Sequence, residues 1–235
     1  MILLNADLGE SFGRYKLGMD EEVMPYIDMA NIACGFHAGD PVVMDKTVML
    51  AKKHNVKIGA HPGYPDLMGF GRRSMKLTAK EVENYIIYQV GALRAFAAKH
   101  GVDVKYIKPH GALYNDMRDE EVLRGVLEAA RVLGLDLVAL SGLDIENVAK
   151  EYGVKVIYEV FADRNYDDNG FLLPRSMKNA VITDENEILK RILMFKEGYV
   201  LSVNSKVLKL KADTVCVHGD NEKAVELVKK IKEIL

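Results

Sequence analysis

Short apolar runs alternate along the chain with longer stretches in which apolar residues recur every three or four positions. The runs predict buried strands at residues 2–4, 30–34, 56–60, 104–107, 136–140, 154–161 and 213–217. The stretches of helical period predict helices at residues 41–54, 78–100, 119–133, 141–152 and 188–195, and a last one at the C-terminal end. This repeated order of strand and helix predicts one domain, residues 1–235, folded as a closed or nearly closed β/α barrel.

Capping residues and one break in the alternation refine this outline. Asp40 is a preferred N-cap residue, and Pro41 fits the first helical position that follows it. Thr78 and Glu81 have the spacing of a capping box. Residues 199–210 contain two short β-prone segments joined by a turn, so they predict a small β-hairpin at the edge of the barrel.

Histidines close several of the predicted strands. Four of the six histidines each end a β-rich run and have a glycine within two residues: His37, His61, His110 and His218. In parallel α/β proteins the carboxyl ends of the strands carry the chemistry, so we expect most of these imidazoles to line one site. His54 and His100 instead end helical stretches, where a positive charge complements the last carbonyls, and we expect them to be structural.

Polar side chains follow the first predicted strand in the sequence NADLGES. Asn5, Asp7 and Glu10 lie in or beside this string. One interpretation is a turn in which Asp7 caps backbone amides. The other is a functional one, in which the carboxylates meet the histidines across the mouth of the barrel.

Cationic residues are expected near the same rim. Arg72 lies in a long glycine-rich loop typical of a lid or binding loop, where it either holds a carboxylate or phosphate or is solvated. Lys108 either contacts substrate or pairs with a neighbouring strand-end carboxylate. Asp163 and Arg164 either bind ligand or pair with neighbours, and Asp220 either binds ligand or caps the last helix. The candidates for binding substrate are Asn5, Arg72, Lys108, Asn115, Asp163, Arg164, Arg175, His218 and Asp220.

Composition and charge narrow the classes of function. A net charge of −2 over 235 residues, without a basic block, argues against a nucleic-acid-binding surface. No stretch has the pattern of a signal peptide or membrane span, so a soluble cytoplasmic protein is expected. Cys34 and Cys216 lie in predicted core strands, which is typical of buried thiols in a reducing compartment. The chain has no P-loop and no dinucleotide fingerprint, so any nucleotide must be bound in another way. A homo-oligomer is left open.

Eight strings of sequence are more specific than any of these patterns. In chain order they are NADLGES, ANIACGFHAGD, GAHPGYPD, FGR, KPHGALYN, EVFADR, LPRS and VCVHGD. Together they resemble the LamB/YcsF family. The resemblance implies a distorted seven-stranded β/α barrel similar to that of polysaccharide deacetylases. It also implies a hydrolase that opens the lactam of 5-oxoproline to glutamate with ATP and Mg²⁺, as one subunit beside two partner subunits that resemble the halves of allophanate hydrolase.

The implied reaction fits the residues described above. A five-membered lactam is a stable amide, and phosphorylation of its oxygen by ATP would make it a better electrophile. Asp7 or Glu10 is then expected to activate water, and the histidines to shuttle protons or stabilise the oxyanion. Arg72 or Arg164 is expected to hold the substrate carboxylate. The expected catalytic residues are Asp7, Glu10, His37, His61 and His110.

Two other functions stay open from the sequence alone. The same barrel suits a divalent-metal amidase or deacetylase, in which Asp7, His37 and His61 would be the three metal ligands. The chain also suits a non-catalytic subunit that binds the substrate for other chains. Stoichiometric metal would favour the first function, and tight binding of 5-oxoproline without turnover would favour the second.

Overall fold

A computed structural model of the protein describes residues 1–143, 145–175, 177–217 and 222–235. Nine strands, eight α-helices and three short 3₁₀-helices make up the described fold. The strands are β1 (Leu3–Leu8), β2 (Met29–Ala33), β3 (Lys57–His61), β4 (Val104–Ile107), β5 (Asp136–Leu140), β6 (Val156–Phe161), β7 (Tyr199–Leu201), β8 (Val207–Lys209) and β9 (Thr214–Val217). Strands β1 to β6 follow one another in order, all parallel, and β9 pairs with both β6 and β1 to close a seven-stranded barrel. The predicted β/α barrel is therefore confirmed.

Helices surround the barrel. They are α1 (Asp20–Val23), α2 (Pro41–Lys53), α3 (Ala79–Lys99), α4 (Gly111–Asn115), α5 (Glu120–Leu133), α6 (Glu146–Glu151), α7 (Glu185–Lys196) and α8 (Glu222–Ile234). The Asp40 side chain accepts from the backbone N–H groups at the start of α2, and Thr78 and Glu81 form the capping box of α3, as predicted. No helix in the described part of the chain is long and apolar enough to cross a bilayer.

Strands β7 and β8 pair antiparallel outside the barrel, which confirms the predicted hairpin. The prediction for residues 141–152 was only partly right, because α6 begins at Glu146. The backbone N–H of Ser141 donates to Glu159 O at 3.0 Å, which continues the β5–β6 pairing before the chain turns. That bond keeps Ser141 paired with β6 at a position where the sequence predicted helix.

The first strand is longer than predicted, and this changes the environment of its polar residues. Asn5 and Asp7 lie inside β1 rather than in a turn after it. Leu4, Ala6 and Leu8 alternate with them and belong to the apolar core between the barrel and its helices. Because alternate residues of a barrel strand face opposite sides, Asn5 and Asp7 face the barrel interior.

The interior of the barrel is apolar near the amino ends of the strands. The residues of this layer are Leu3, Met29, Tyr106, Val138 and Ile157. Gly59 leaves room for the largest of them, because a Cβ at that position would overlap the Tyr106 ring. Polar side chains fill the interior beyond this layer, toward the carboxyl ends of the strands.

Candidate active site

A lysine lies at the centre of the barrel with acceptors around its charge. Lys108 follows β4 and is 2% exposed. Its Nζ lies 2.9 Å from Asp7 Oδ1 and 2.8 Å from Glu159 Oε1. Burial alone lowers the pKa of a lysine, but the nearby carboxylates, Asp7 foremost, outweigh burial and raise the pKa of Lys108 well above its ordinary value. Lys108 is thus a permanent buried cation, and it makes the strand-end ion pair that was one of its two predicted roles.

Side-chain amides hold the Asp7 carboxylate from another direction. Asn31 Nδ2 donates to Asp7 Oδ1 at 2.8 Å and to Asn5 Oδ1 at 2.7 Å. Tyr106 Oη donates to Asn31 Oδ1 at 2.7 Å, and Asn5 Nδ2 donates to Thr214 Oγ1 at 2.8 Å. These bonds join β1, β2, β4 and β9, so the orientation of Asp7 is fixed by four strands.

Three of the four strand-end histidines come together at the mouth of the barrel, as predicted. His110 Nδ1 lies 2.9 Å from His61 Nε2, and the rings of His37 and His110 stack with centroids 3.6 Å apart. Glu10 joins them, with its Oε1 3.1 Å from His37 Nε2 and 3.5 Å from His110 Nδ1. We call Glu10, His37, His61 and His110 the histidine cluster; each offers one ligand atom, and these atoms lie within 4.8 Å of one another.

Backbone carbonyls determine which ring nitrogens carry hydrogen in two of these histidines. His61 Nδ1 lies 2.7 Å from Lys108 O, and His110 Nε2 lies 2.8 Å from Phe70 O. Because a carbonyl oxygen only accepts hydrogen bonds, both of these nitrogens are protonated. In the neutral imidazoles, His61 Nε2 and His110 Nδ1 then carry lone pairs, and these two nitrogens face each other.

Glycines in the loop after β3 allow it to pack against the imidazole rings. Gly71 has a φ of +62°, and a Cβ there would lie 2.7 Å from His37 Cβ and 2.8 Å from His110 Cδ2. A Cβ on Gly63 would lie 2.8 Å from His37 Nδ1. The glycine-rich loop therefore covers the cluster from one side.

Burial sets the protonation of other groups in the barrel. Desolvation is the largest influence on His37 and His110 and lowers the pKa of each well below its ordinary value. Desolvation likewise raises the pKa of the Cys34 thiol to about 12 and that of Cys216 well above its ordinary value. Both thiols are buried and free, as the sequence predicted.

A cavity of about 970 Å³ opens onto this arrangement. Asp7, Glu10, His61 and His110 line it together with six cationic side chains: Arg72, Lys76, Lys108, Arg118, Arg164 and Arg175. Cations around carboxylates and imidazoles suit an anionic ligand whose reacting atoms must meet a base. Arg72 contributes from the glycine-rich loop, with its Cζ 5.0 Å from the centroid of the Phe70 ring.

The other predicted binding residues differ in what they contact. Asn115 lines the cavity and its Nδ2 donates to Gly111 O at 3.1 Å. Arg164 also lines the cavity, but its guanidinium donates to Leu173 O at 2.5 Å and to Ala180 O at 3.3 Å. Arg164 therefore fastens the segment that carries Arg175.

The remaining predicted binding residues are Asp163, His218 and Asp220. Asp163 lies beside Arg164, and its backbone carbonyl accepts from Ile182 N at 2.8 Å. His218 and Asp220 lie outside the described residues.

Sequence reasoning missed several interior polar residues. Glu159 is fully buried, pairs with Lys108 and accepts from Tyr114 Oη at 2.7 Å. Asn31, which orients Asp7, was also missed. The signal was a single polar residue within an apolar strand, Asn31 in MANIA and Glu159 in VIYEVF, because such a residue in a barrel strand faces the interior.

Comparison with known proteins gives consistent results over nearly the whole chain. A model of the LamB/YcsF family matches residues 2–235. The chain is 58% identical to the A subunit of 5-oxoprolinase from Pyrococcus abyssi, covering 99% of this chain and 92% of that protein. It is 50% identical to the A subunit of 5-oxoprolinase from Vibrio campbellii, covering 100% of this chain and 95% of that protein.

A solved structure agrees with these sequence matches. The crystal structure of a lactam utilization protein from Thermus thermophilus matches with a TM-score of 0.92 and 43% identity, covering 99% of this chain and 94% of that one. The chain therefore belongs to the LamB/YcsF family.

Proposed function

We propose that this chain is the A subunit of an ATP-dependent 5-oxoprolinase, which opens the lactam of 5-oxoproline to give glutamate. The observation that carries the proposal is the near-full-length similarity, at 58% and 50% identity, to two proteins of that name. The cavity supports it, because carboxylates, imidazoles and cations suit a cyclic amide that bears a carboxylate.

The reaction needs ATP because a five-membered lactam resists attack by water. Transfer of the γ-phosphoryl group to the lactam oxygen releases ADP and makes the ring carbonyl carbon more electrophilic. One water adds to that carbon, the C–N bond breaks, and the nitrogen takes up a proton. A second water hydrolyses the resulting acyl phosphate to glutamate and phosphate.

The interior residues take defined roles in this scheme. Asp7 or Glu10, two of the carboxylates that line the cavity, accepts the proton of the attacking water. His61 Nε2 and His110 Nδ1, which carry lone pairs, take up the proton from that carboxylate and pass it to the leaving nitrogen. His37 positions Glu10 through the 3.1 Å contact between His37 Nε2 and Glu10 Oε1. Lys108 positions Asp7 rather than contacting substrate, because its Nζ is already surrounded by protein acceptors.

The anionic parts of the substrates fit the cationic side of the cavity. Arg72 holds the carboxylate of 5-oxoproline or the transferred phosphoryl group, and Arg175 adds a second cation nearby. Arg164 supports this side mainly by fastening its loop. ATP enters with Mg²⁺, and the lack of a P-loop means that its phosphates are held in another way.

The complete enzyme includes two partner subunits that resemble the halves of allophanate hydrolase. Both relatives are named as one lettered subunit of a 5-oxoprolinase, which supports a multi-subunit assembly. The assembly belongs in the cytoplasm, where the two buried free thiols stay reduced.

The test is glutamate release from 5-oxoproline with ATP and Mg²⁺, using this chain alone and with the two partner subunits of the same source. We expect ATP-dependent release only in the complete mixture. A mixture without 5-oxoproline and one without ATP are the controls. Failure to release glutamate in the complete mixture, with all three chains folded, would overturn the proposal.

The histidine cluster favours one second candidate, a metal-dependent amidase acting on another amide. That function predicts amide hydrolysis by this chain alone, without ATP. Tight binding of 5-oxoproline with no turnover in any mixture would instead indicate a non-catalytic binding subunit.

A further inference from the structure

Four hydrogen-bond acceptors converge at the mouth of the barrel. His61 Nε2 and His110 Nδ1 are 2.9 Å apart, and in neutral imidazoles both carry lone pairs, because Lys108 O and Phe70 O take the hydrogens of the opposite ring nitrogens. Asp7 Oδ2 lies 3.4 Å from the first nitrogen, and Glu10 Oε1 lies 3.5 Å from the second. Lone pairs and carboxylate oxygens at these distances repel one another unless a cation lies among them.

We infer that the histidine cluster, Glu10, His37, His61 and His110, binds one divalent transition-metal cation of the zinc type. The inference uses only the geometry of these side chains. With the metal bound, Glu10, His61 and His110 would be held as its ligands, and Asp7 would be left as the base of the proposed reaction.

The spacing of the ligand atoms fits such a site. Nitrogens about 2.05 Å from a common metal are about 2.9 Å apart at a right angle and about 3.3 Å apart at the tetrahedral angle. The observed separations are 2.9 Å from His61 Nε2 to His110 Nδ1, 3.1 Å from His37 Nε2 to Glu10 Oε1, and 3.5 Å from His110 Nδ1 to Glu10 Oε1. A metal ion would therefore need little movement of Glu10, His61 and His110.

His37 needs one adjustment to complete the set. Its ring is parallel to that of His110, with an interplanar angle of 5°, so the in-plane directions from His37 Nε2 and His110 Nδ1 do not meet at one point. His37 would therefore have to tilt out of this stack, and exchange its hydrogen bond to Glu10 for the metal, to become a ligand. We therefore place Glu10, His61 and His110 as the three main ligands and His37 as the fourth.

The ligand types indicate the class of cation. Three imidazoles and one carboxylate suit Zn²⁺, Co²⁺ or Ni²⁺, whereas Mg²⁺ prefers oxygen ligands and water. The site is thus distinct from the Mg²⁺ that accompanies ATP. A metal ion here would act as a Lewis acid toward a carbonyl group in the cavity.

The ligand set also differs from the one expected from the sequence, which was Asp7, His37 and His61. Asp7 Oδ1 is engaged by Lys108 and Asn31, which fixes the orientation of the carboxylate. Glu10 and His110 take its place, because their ligand atoms lie with those of the other two histidines within 4.8 Å.

The test is binding of Zn²⁺ and Co²⁺ to the full chain, purified without a polyhistidine tag and stripped of metal. Zn²⁺ affinity is measured by competition with a chromophoric chelator, and Co²⁺ coordination by its visible absorption. We expect one ion per chain, a Co²⁺ spectrum typical of nitrogen and oxygen ligands, and no displacement by millimolar Mg²⁺. Neither 5-oxoproline nor ATP is present, so the result is independent of turnover.

Variants locate the site. His110→Ala and Glu10→Gln are each expected to weaken Zn²⁺ binding, by at least about 100-fold and about 10-fold respectively, and to change the Co²⁺ spectrum. His54→Ala, which alters a histidine at the end of α2, is the matched control and is expected to bind as the parent does. If His110→Ala fails to fold by circular dichroism, His110→Asn replaces it.

Three results would overturn the inference. One is the absence of stoichiometric binding, with a proton shared between His61 and His110 detected by ¹⁵N NMR instead. Another is Zn²⁺ binding that His110 and Glu10 variants leave unchanged. The third is equal loss of binding in His54→Ala. Metal binding without glutamate release in the complete mixture would overturn the proposed function and leave this inference intact.

Discussion

Replacement of Lys108 by methionine tests whether the barrel interior depends on one buried cation. Methionine keeps most of the apolar stem of lysine but removes the charge that lies 2.9 Å from Asp7 and 2.8 Å from Glu159. At an effective dielectric constant near 20, each contact is worth about 6 kcal/mol of gross attraction, most of which desolvation offsets. Breaking a buried pair by removing one partner costs about 3–5 kcal/mol, which is our expected loss of unfolding free energy for Lys108→Met.

The assay is urea unfolding followed by far-ultraviolet circular dichroism, because the chain contains no tryptophan. The matched control is Lys105→Met in β4, where the lysine is exposed and its Nζ lies 2.9 Å from Asp103 Oδ2. Surface ion pairs of this kind contribute little to stability. The unfolding free energy of the control is therefore expected to stay within about 0.5 kcal/mol of that of the parent.

A double variant separates charge from packing. In Lys108→Met, changing Glu159 to glutamine removes one of the two uncompensated charges, so the double variant is expected to be more stable than the single one. If Lys108→Met lowers the unfolding free energy by less than about 1 kcal/mol, or if Lys105→Met lowers it equally, the barrel interior does not depend on the buried charge of Lys108.

Three other predictions concern separate parts of the molecule. Gly59→Ala is expected to lower the unfolding free energy by about 2–3 kcal/mol, because the added Cβ overlaps the Tyr106 ring. Gly91→Ala is the control, since a Cβ there meets nothing within 4 Å, and it is expected to raise the unfolding free energy in the same urea assay. Burial raises the pKa of Asp20 from 3.8 to about 6, so the folded state binds more protons than the unfolded state, and stability is lost as the pH rises through that range. The unfolding free energy of Asp20→Asn should therefore rise relative to that of the parent between pH 4 and pH 7, by at most about 3 kcal/mol. A difference that stays constant with pH would contradict this prediction. Arg72→Gln in the complete enzyme is expected to raise the KM for 5-oxoproline or ATP about 10- to 100-fold, and unchanged kinetics would remove its binding role.

The fold could be predicted closely because its signals are local. Apolar runs and helical periods placed all seven barrel strands, and capping residues such as Asp40 and Thr78 fixed helix starts that the structure confirms. The predicted helix start at residue 141 was wrong because the backbone N–H of Ser141 donates to Glu159 O on the neighbouring strand. Helical propensity alone does not contain that information.

The site could be predicted in part. The shared position of His37, His61 and His110 at strand ends was enough to bring them together, since parallel strands end on one side of a barrel. The partners of Lys108 could not be read in the same way. Glu159 is far from it in sequence, and only closure of the barrel brings the two side chains to 2.8 Å.

The sequence left two alternatives for Asp7 because its position also depends on contacts between strands that are far apart in sequence. A turn and a strand interior both suit the string NADLGES, and the choice depends on pairing of β1 with both β2 and β9. Once β1 extends to Leu8, alternation directs Asn5 and Asp7 inward. The polar barrel interior therefore follows from the sheet and not from local preference.

Our central proposal is that the lactam of 5-oxoproline is opened in the barrel of this chain. The most direct test measures ATP-dependent glutamate release by this chain assembled with the two proposed partner subunits, with His61→Ala or His110→Ala in this chain and His54→Ala as the control. We expect the first two variants to lose at least about 100-fold in kcat while the control keeps full activity. Full turnover by His61→Ala and His110→Ala, in assembled and folded enzyme, would contradict the claim.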